Sequence, residues 1–479
     1  MDKRKQLVKS TVVIAIGKIS SQLISFLLLP IYTTYLSPGE YGLVDLIITY
    51  LFLVVPLLTL QIEMASFRFL VDARGNKKET TRVISNVMTI VLQTLLVCVA
   101  LFVVASVIFN IPYAPYILLN VVATIFSNLF LQMARGMGDN KKFAVASIVT
   151  GVTTLALSLA LIMWLQLGAA GLLAALGLAN LACAVYLFIA LRLYRYMRPA
   201  ARNGKMQKEL VSYSLPLVPN GISWWAINAS DRTIISVFLG VAANGVYAVS
   251  NKYAAIFASL YGIFSLSWAE SASMHINAKD RDEFFSQTSN ASVKLFGSLG
   301  LLLIAGIPLV FSLLVDAQFA ESYLYIPLLV IGAFFNAVVG TYSAVYVAKK
   351  LTRQVAMTSI VAAVINIILT VVFVTWLGLY AAAAATAIAY LVMAIYRHYD
   401  SKKFITITYE RLLFVKLAAL YAATLLLYYV NAPLANIANL LFAIIAAMLL
   451  NKSIVKIVKT KVLSLRRKQL PEDTHEVSL

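Results

Sequence analysis

Asp231 and Arg232 stand side by side in NASDRTIISVFLG, Asn228 to Gly240, a stretch that is otherwise apolar. Lys18, Lys252 and Lys294 are the other deep cations in long apolar runs, and Asp45, Glu63 and Glu270 are acids within or near the ends of such runs. The chemistry open to these residues is electrostatic: cations hold carboxylates or phosphates, and carboxylates hold protons or cations. Other chemistries lack their pieces. His275, His398 and His475 are scattered, as are Cys98 and Cys183, so no zinc centre, disulfide framework or serine-histidine triad is expected. No GxxxxGK[ST] loop offers a nucleotide site. The expected metal and cofactor content is therefore none.

Helical spacing groups these charges with other polar residues. Lys18, Gln22 and Ser25 recur at i, i+4 and i+7, while Asn220, Trp224, Asn228 and Asp231 recur at i, i+4, i+8 and i+11, each set forming one stripe. Such stripes fit two walls of a shared cavity, with Trp225, Asn251, Asn336 and Tyr342 as further polar or aromatic groups. A purely structural reading stays open. Asp231 and Arg232 point about 100° apart on a helix and are poor partners for one another, whereas Lys252 on the next run is a plausible counter-ion for Asp231. Lys294, Asp45 and Glu63 lie near run ends, where snorkelling or simple solvation accounts for a charge, and Lys416 reaches the interface in the same way. If the cavity reading holds, its deep cations outnumber its clearly deep acids, which suits an anionic cargo.

The elements that must position these residues are membrane spans. The chain of 479 residues is 61% hydrophobic and 12% charged, with a mean hydropathy of +0.86, outside the range of ordinary soluble chains. A span needs about 20 apolar residues to cross a hydrocarbon layer of about 30 Å. The pattern predicts an all-α membrane protein with fourteen spans, at 11–33, 42–66, 83–109, 113–133, 143–166, 170–191, 213–238, 245–267, 286–314, 325–346, 355–376, 379–396, 412–430 and 434–450. The first is read as an uncleaved span rather than a signal peptide, because it is long and lacks a small-residue cleavage site.

With the amino terminus placed in the cytoplasm and every run crossing once, 34 of the 39 Lys and Arg fall in inside segments and none in outside loops. That distribution places both termini inside and assigns the formal charge of +19 to topology rather than to nucleic acid, which is not expected as a partner. The longest outside loop has roughly ten residues, about 315–325, too little for the external catalytic loops of a glycan enzyme. Asn451 to Leu470 alternates apolar and basic residues and reads as an amphipathic segment on the inner leaflet, or as a solvated basic anchor.

Two halves overlay. A shift of 203 residues sets Ile19-Ser20 on Ile222-Ser223, Ser25 on Asn228, Leu36 on Leu239, Gly42 on Gly245 and Tyr50 on Tyr253. A shift of 212 sets Ser147-Ile148-Val149 on Ser359-Ile360-Val361 and Trp164-Leu165 on Trp376-Leu377. Six spans is an even number, so the repeat is parallel, about an axis normal to the membrane. The expected organisation is a six-helix lobe at 1–195, a basic linker at 196–212, a second six-helix lobe at 213–397, two further helices at 398–450 and a basic tail at 451–479.

Two stretches carry a family likeness: LVKSTVVIAIGKISSQLISFLLLPIYTTYLSPGEYGLVDL and SLPLVPNGISWWAINASDRTIISVFLGVAANGVYAVSNKYA, with Lys18, Pro30, the Pro38 to Gly42 turn, Pro216, Asp231-Arg232, Gly240, Gly245, Tyr247 and Lys252. Over about the whole length the chain resembles the Wzx-type polysaccharide, or oligosaccharidyl-lipid, flippases of the MOP exporter superfamily. The resemblance implies a multi-pass protein of the bacterial cytoplasmic membrane with a water-accessible cationic cavity between two lobes. Through it an undecaprenyl-diphosphate-linked oligosaccharide would pass by alternating access, for O-antigen, capsule or exopolysaccharide synthesis, driven by an ion gradient or the membrane potential. It implies head-group contacts at Lys18, Arg232, Lys252 and Lys294, cavity groups at Gln22, Ser25, Trp224, Asn228 and Asn251, and ion coupling or gating at Asp45, Glu63 and Asp231. Implied partners are the lipid-linked oligosaccharide, membrane lipids, and the polysaccharide polymerase with its chain-length machinery. No enzymatic activity is expected. The competing readings are a cation-coupled multidrug or metabolite exporter of the same superfamily and a non-transporting assembly scaffold.

Overall fold

A computed structural model describes residues 24–349, 351–452 and 456. Among them there is no strand. The helices are α1 (Leu29–Tyr35), α2 (Pro38–Thr59), α3 (Ile62–Asp72), α4 (Lys77–Phe109), α5 (Ala114–Gly136), α6 (Asn140–Ser158), α7 (Gly168–Ala190), α8 (Gly204–Ser214), α9 (Val218–Phe238), α10 (Val241–His275), α11 (Arg281–Leu314), α12 (Ile326–Ala348), α13 (Thr352–Leu377), α14 (Leu379–Ser401), α15 (Leu413–Val430) and α16 (Pro433–Leu450). Among the described residues, eleven helices are long and apolar enough to cross a membrane. The polar-striped α9 and α10 and the short Ile24–Tyr35 helix fall outside that count. Large apolar side chains stand exposed on the long helices, as Leu96, Val107 and Phe109 do on α4, which is the surface a lipid solvent requires.

Local sequence starts and stops the helices. Ser37 and Glu40 form a capping box at α2, with Pro38 in the first turn; the Glu40 amide donates to Ser37 Oγ (3.2 Å) and the Ser37 amide to Glu40 Oε2 (3.0 Å). Asn76, Asp139 and Asn203 cap α4, α6 and α8 with their side-chain oxygens. The second predicted span is not continuous. It breaks at Leu60 and Gln61, both left-handed with φ of 52° and 54°, separating α2 from α3 four residues after Pro56.

One helix runs farther than expected. Arg397, assigned to an inside loop, is a buried residue of α14, which runs to Ser401 rather than ending near 396. Its guanidinium donates to Thr358 Oγ1 (2.7 Å from Nη2), Ser343 Oγ (2.5 Å) and the Val355 carbonyl (3.2 Å), tying α14 to α12 and α13 without a carboxylate. The basic stretch 196–212 is equally ordered. Asn86 on α4 accepts from the Asn203 amide (2.7 Å) and donates to the Ala201 carbonyl (3.1 Å), while Met206 and Leu210 of α8 bury against the same core as α3 to α5.

The helices between 24 and 190 pack on one another, as do those from 218 to 450, and the two groups meet mainly where α2 lies against α9 and α10. Positions equivalent under the two shifts occupy equivalent settings. Trp164 and Trp376 are 76% and 79% exposed. Gly42 and Gly245 meet each other: a Cβ on Gly42 would lie 2.0 Å from the Val241 carbonyl oxygen, and one on Gly245 would lie 2.0 Å from that of Pro38. Pro38 and Val241 are themselves equivalent under the 203-residue shift, so the contact is reciprocal, as an isologous interface must be.

Candidate functional site: charges where the two halves meet

Beside the glycine contact, α2, α9 and α10 converge. Asp45 lies seven residues into α2, about 10 Å from its start, because that helix begins at Pro38 and not at residue 42 as expected. Arg232 reaches it from α9, with Nε 2.8 Å from Asp45 Oδ2, and both side chains retain little exposure, 14% and 20%. Asn244 on α10 adds a bond from Nδ2 to the Gly42 carbonyl (2.9 Å) and a longer one to Asp45 Oδ2 (3.5 Å). The ion pair therefore spans the two halves of the chain, next to their closest backbone approach.

Asp231 turns the other way, as its helical position requires. Its Oδ2 accepts from Tyr247 Oη at 2.5 Å, and its Oδ1 accepts from the Arg232 amide at 2.9 Å. Lys252, the counter-ion considered for Asp231, instead donates from Nζ to Ser25 Oγ at 3.3 Å and lies within electrostatic range of Asp45 and Arg232. Ser25 precedes α1, so this second polar contact also joins the two halves. Farther along α2, Trp225 donates Nε1 to the Thr49 carbonyl (2.8 Å) and stacks on Tyr50 at 6.2 Å between ring centroids.

The described charges balance: Asp45 and Asp231 against Arg232 and Lys252. Lys18 lies outside the described residues and is not in this balance; Asp45 is a full member of the cluster and not a span-end acid. Two cavities among the described residues, about 910 and 840 Å³, lie away from Asp45, Arg232 and Lys252.

The remaining expected site residues separate. Lys18 and Gln22 lie outside the described residues, as do the side chains of Trp224 and Asn228. Asn251 is half-buried on α10 beside Lys252. Lys294 is bonded to Glu410 and lines a different groove with Ser286, Asn290 and Asn451, so it is not part of the cluster. Glu63 is buried on α3 and accepts from Thr59 Oγ1 at 2.9 Å across the break in the second span. The amphipathic reading of 451–470 falls almost entirely outside the described residues.

Sequence reasoning passed over Asn244 and Thr33. Thr33 accepts at Oγ1 from the Asp316 amide (3.2 Å), and its carbonyl accepts from Gln318 Nε2 (2.8 Å). This places a third bridge between the halves at the same helix ends as Gly42 and Gly245. Asn244 escaped notice because the expected span begins at 245, whereas the helix begins at Val241; Thr33 gave no signal.

A family model described as polysaccharide biosynthesis protein matches residues 7–268. No curated protein matches the sequence. Among solved structures, an inward-facing multidrug resistance MATE family transporter of the MOP superfamily aligns with a TM-score of 0.69 at 14% identity, over 81% of this chain and 94% of its own. The lipid II flippase MurJ in an inward closed conformation aligns at 0.67 and 14% identity, over 93% and 99%. An outward-facing MATE family transporter aligns at 0.59 and 15% identity, over 84% and 96%. At these identities the likeness is one of fold.

Proposed function

Because the chain belongs to the polysaccharide biosynthesis protein family, its matched region covering more than half of it, we propose that it is a flippase for lipid-linked oligosaccharide. The cargo is an undecaprenyl-diphosphate-linked repeat unit of a bacterial surface polysaccharide. It passes between two six-helix lobes, 1–195 and 213–397, of a fourteen-span protein with both ends in the cytoplasm. The observation that carries the reading is the Asp45–Arg232 pair, a largely buried ion pair that also joins the two halves.

Buried pairs of this kind are often replaceable by apolar packing with no loss of stability, so stability alone does not account for one here and a switch does. A diphosphate presents the same geometry to a guanidinium that a carboxylate does, with more charge. Cargo entering from the cytoplasmic side competes with Asp45 for Arg232, while Lys252 leaves Ser25 for the second phosphate. Loss of the Asp45 bond then weakens the seal formed by Gly42, Asn244 and Gly245, and the outer side opens. Cargo binding and outward opening share one residue, which gives the differential affinity that a conformational shift demands. The membrane potential acts on the cations at about 2.3 kcal/mol per charge per 100 mV.

The test is accumulation of lipid-linked repeat units in a deletion strain. Wild-type protein clears them, and Arg232→Ala and Lys252→Ala at equal membrane abundance leave them in place. If the deletion strain accumulates no lipid-linked repeat units, an exporter of different cargo replaces this reading; if charge reversal at Arg232 leaves clearance unchanged, Arg232 does not hold the cargo. If reconstituted wild-type vesicles translocate no lipid-linked glycan, the scaffold reading does.

A further inference from the structure

On the far side of α12 from the charge cluster, the inner halves of α12, α14 and α15 and the segment 405–409 enclose a groove of about 840 Å³. α14 and α15 form its two banks and α12 its floor. Phe334, Phe335, Leu391, Ile395, Phe414 and Leu417 make it apolar. Along α12 the lining runs from Ile331 to Tyr342, about 16 Å, one leaflet of a hydrocarbon layer about 30 Å thick.

One end is built differently. Tyr342 Oη bonds to His398 Nδ1 (3.0 Å) and to Tyr409 Oη (2.7 Å), and Lys402 Nζ lies 4.9 Å from the centre of the Tyr399 ring. Burial pushes the Tyr409 hydroxyl up to about 12, so it stays protonated and available as a hydrogen-bond group. None of the described lining residues is acidic; Asp400 turns away to Tyr346 (2.8 Å) and Lys403 (2.6 Å). The volume falls in the range of sites for bound small molecules, about 300–1,000 Å³.

From this arrangement we infer that the groove between α14 and α15 is a binding site for one anionic glycerophospholipid of the cytoplasmic leaflet, its acyl chains against α12 and its phosphate at Lys402 and His398. The cargo's own polyprenyl tail does not share it. α12 packs on α10 along its other face, where Trp268 Nε1 donates to the Thr341 carbonyl at 3.1 Å, and so separates the groove from Arg232 and Lys252. The bound lipid fills a gap that α14 and α15 leave between them, fixing the two-helix addition against the rest of the chain.

Native mass spectrometry of the full chain, released from detergent with phosphatidylglycerol, phosphatidylcholine or undecaprenyl phosphate added, tests this. One phosphatidylglycerol is expected to stay bound after the annular lipid is stripped. Ala418→Trp, which fills the groove from an exposed position on α15, abolishes that adduct, and Lys402→Glu on the surface reduces its retention about fivefold. Equal retention by Ala418→Trp, equal retention of phosphatidylcholine, or displacement of phosphatidylglycerol by undecaprenyl phosphate mole for mole would each overturn the assignment. A folded Lys402→Glu protein with undiminished phosphatidylglycerol binding overturns it as well.

Discussion

Arg232 and Arg397 are both guanidiniums held inside apolar helices, but they are satisfied in opposite ways. Arg232 is neutralised by a carboxylate from the other half of the chain, while Arg397 is surrounded by neutral acceptors of its own half. The first lies where the two halves meet and a competing anion can take its place, whereas Arg397, 1% exposed, is out of reach of one. Asp45→Ala removes the carboxylate that meets Arg232 across the halves and is expected to cost about 1–3 kcal/mol, seen as a lower unfolding midpoint in detergent. Exchanging the two, Asp45→Arg with Arg232→Asp, is expected to recover most of that stability but not translocation, because the cation then sits on the wrong helix for the cargo. Recovery of both would reduce the pair to a structural clasp. Arg397→Lys keeps the charge but loses the fork that reaches Ser343, Thr358 and Val355, and a loss of about 1–3 kcal/mol is expected from the same measurement.

At the level of elements, the crossing of α2 and α10 depends on having no side chain at Gly42 or Gly245. With a Cβ 2.0 Å from a carbonyl oxygen, the neighbouring backbone has to move. Gly42→Ala and Gly245→Ala are each expected to wedge the halves apart and to raise the labelling rate of a cysteine placed at Asn244 by an impermeant thiol reagent applied from outside. Because the contact is reciprocal, the two substitutions act alike; a large difference between them would argue against the equivalence of the halves. The break at Leu60 and Gln61 is a second element-level feature. It lets α3 leave the line of α2 and carry Glu63 beneath Thr59, and it places the Gln61 amide nitrogen 2.3 Å from where a Cβ of Gly221 would stand. Gln61→Gly, relieving a left-handed residue, is expected to be nearly neutral for folding, and Gly221→Ala is expected to be tolerated because only the end of the flexible Gln61 side chain has to move.

For the whole molecule, three sets of contacts seal the same helix ends: Thr33 with 316 and 318, Gly42 with Gly245, and Asp45 with Arg232. A protein that alternates must release all three together. A disulfide between cysteines placed at Thr33 and Gln318 is expected to abolish clearance of lipid-linked glycan and to release it again on reduction, without altering membrane abundance. Continued clearance with the crosslink formed would exclude opening at this end.

The membrane character of the chain, the helical runs, the clustering of its basic residues between alternate runs and the 203-residue echo all came from the sequence alone. Each is a property of composition or period, and a bilayer leaves an apolar chain few alternatives to helix. The family likeness was legible for the same reason, in the order of Pro38, Gly42, Asp231, Arg232 and Gly245. Pairing was not. Whether Arg232 meets Asp45, whether Lys252 answers Asp231 or Ser25, and whether Arg397 lies in a loop or in a core depend on how far each helix runs and which faces cross. Those are set by close packing between residues about two hundred positions apart, and nothing local encodes them. Tertiary structure decided that Arg232 meets Asp45 across the two halves and that Lys294 belongs elsewhere, with Glu410.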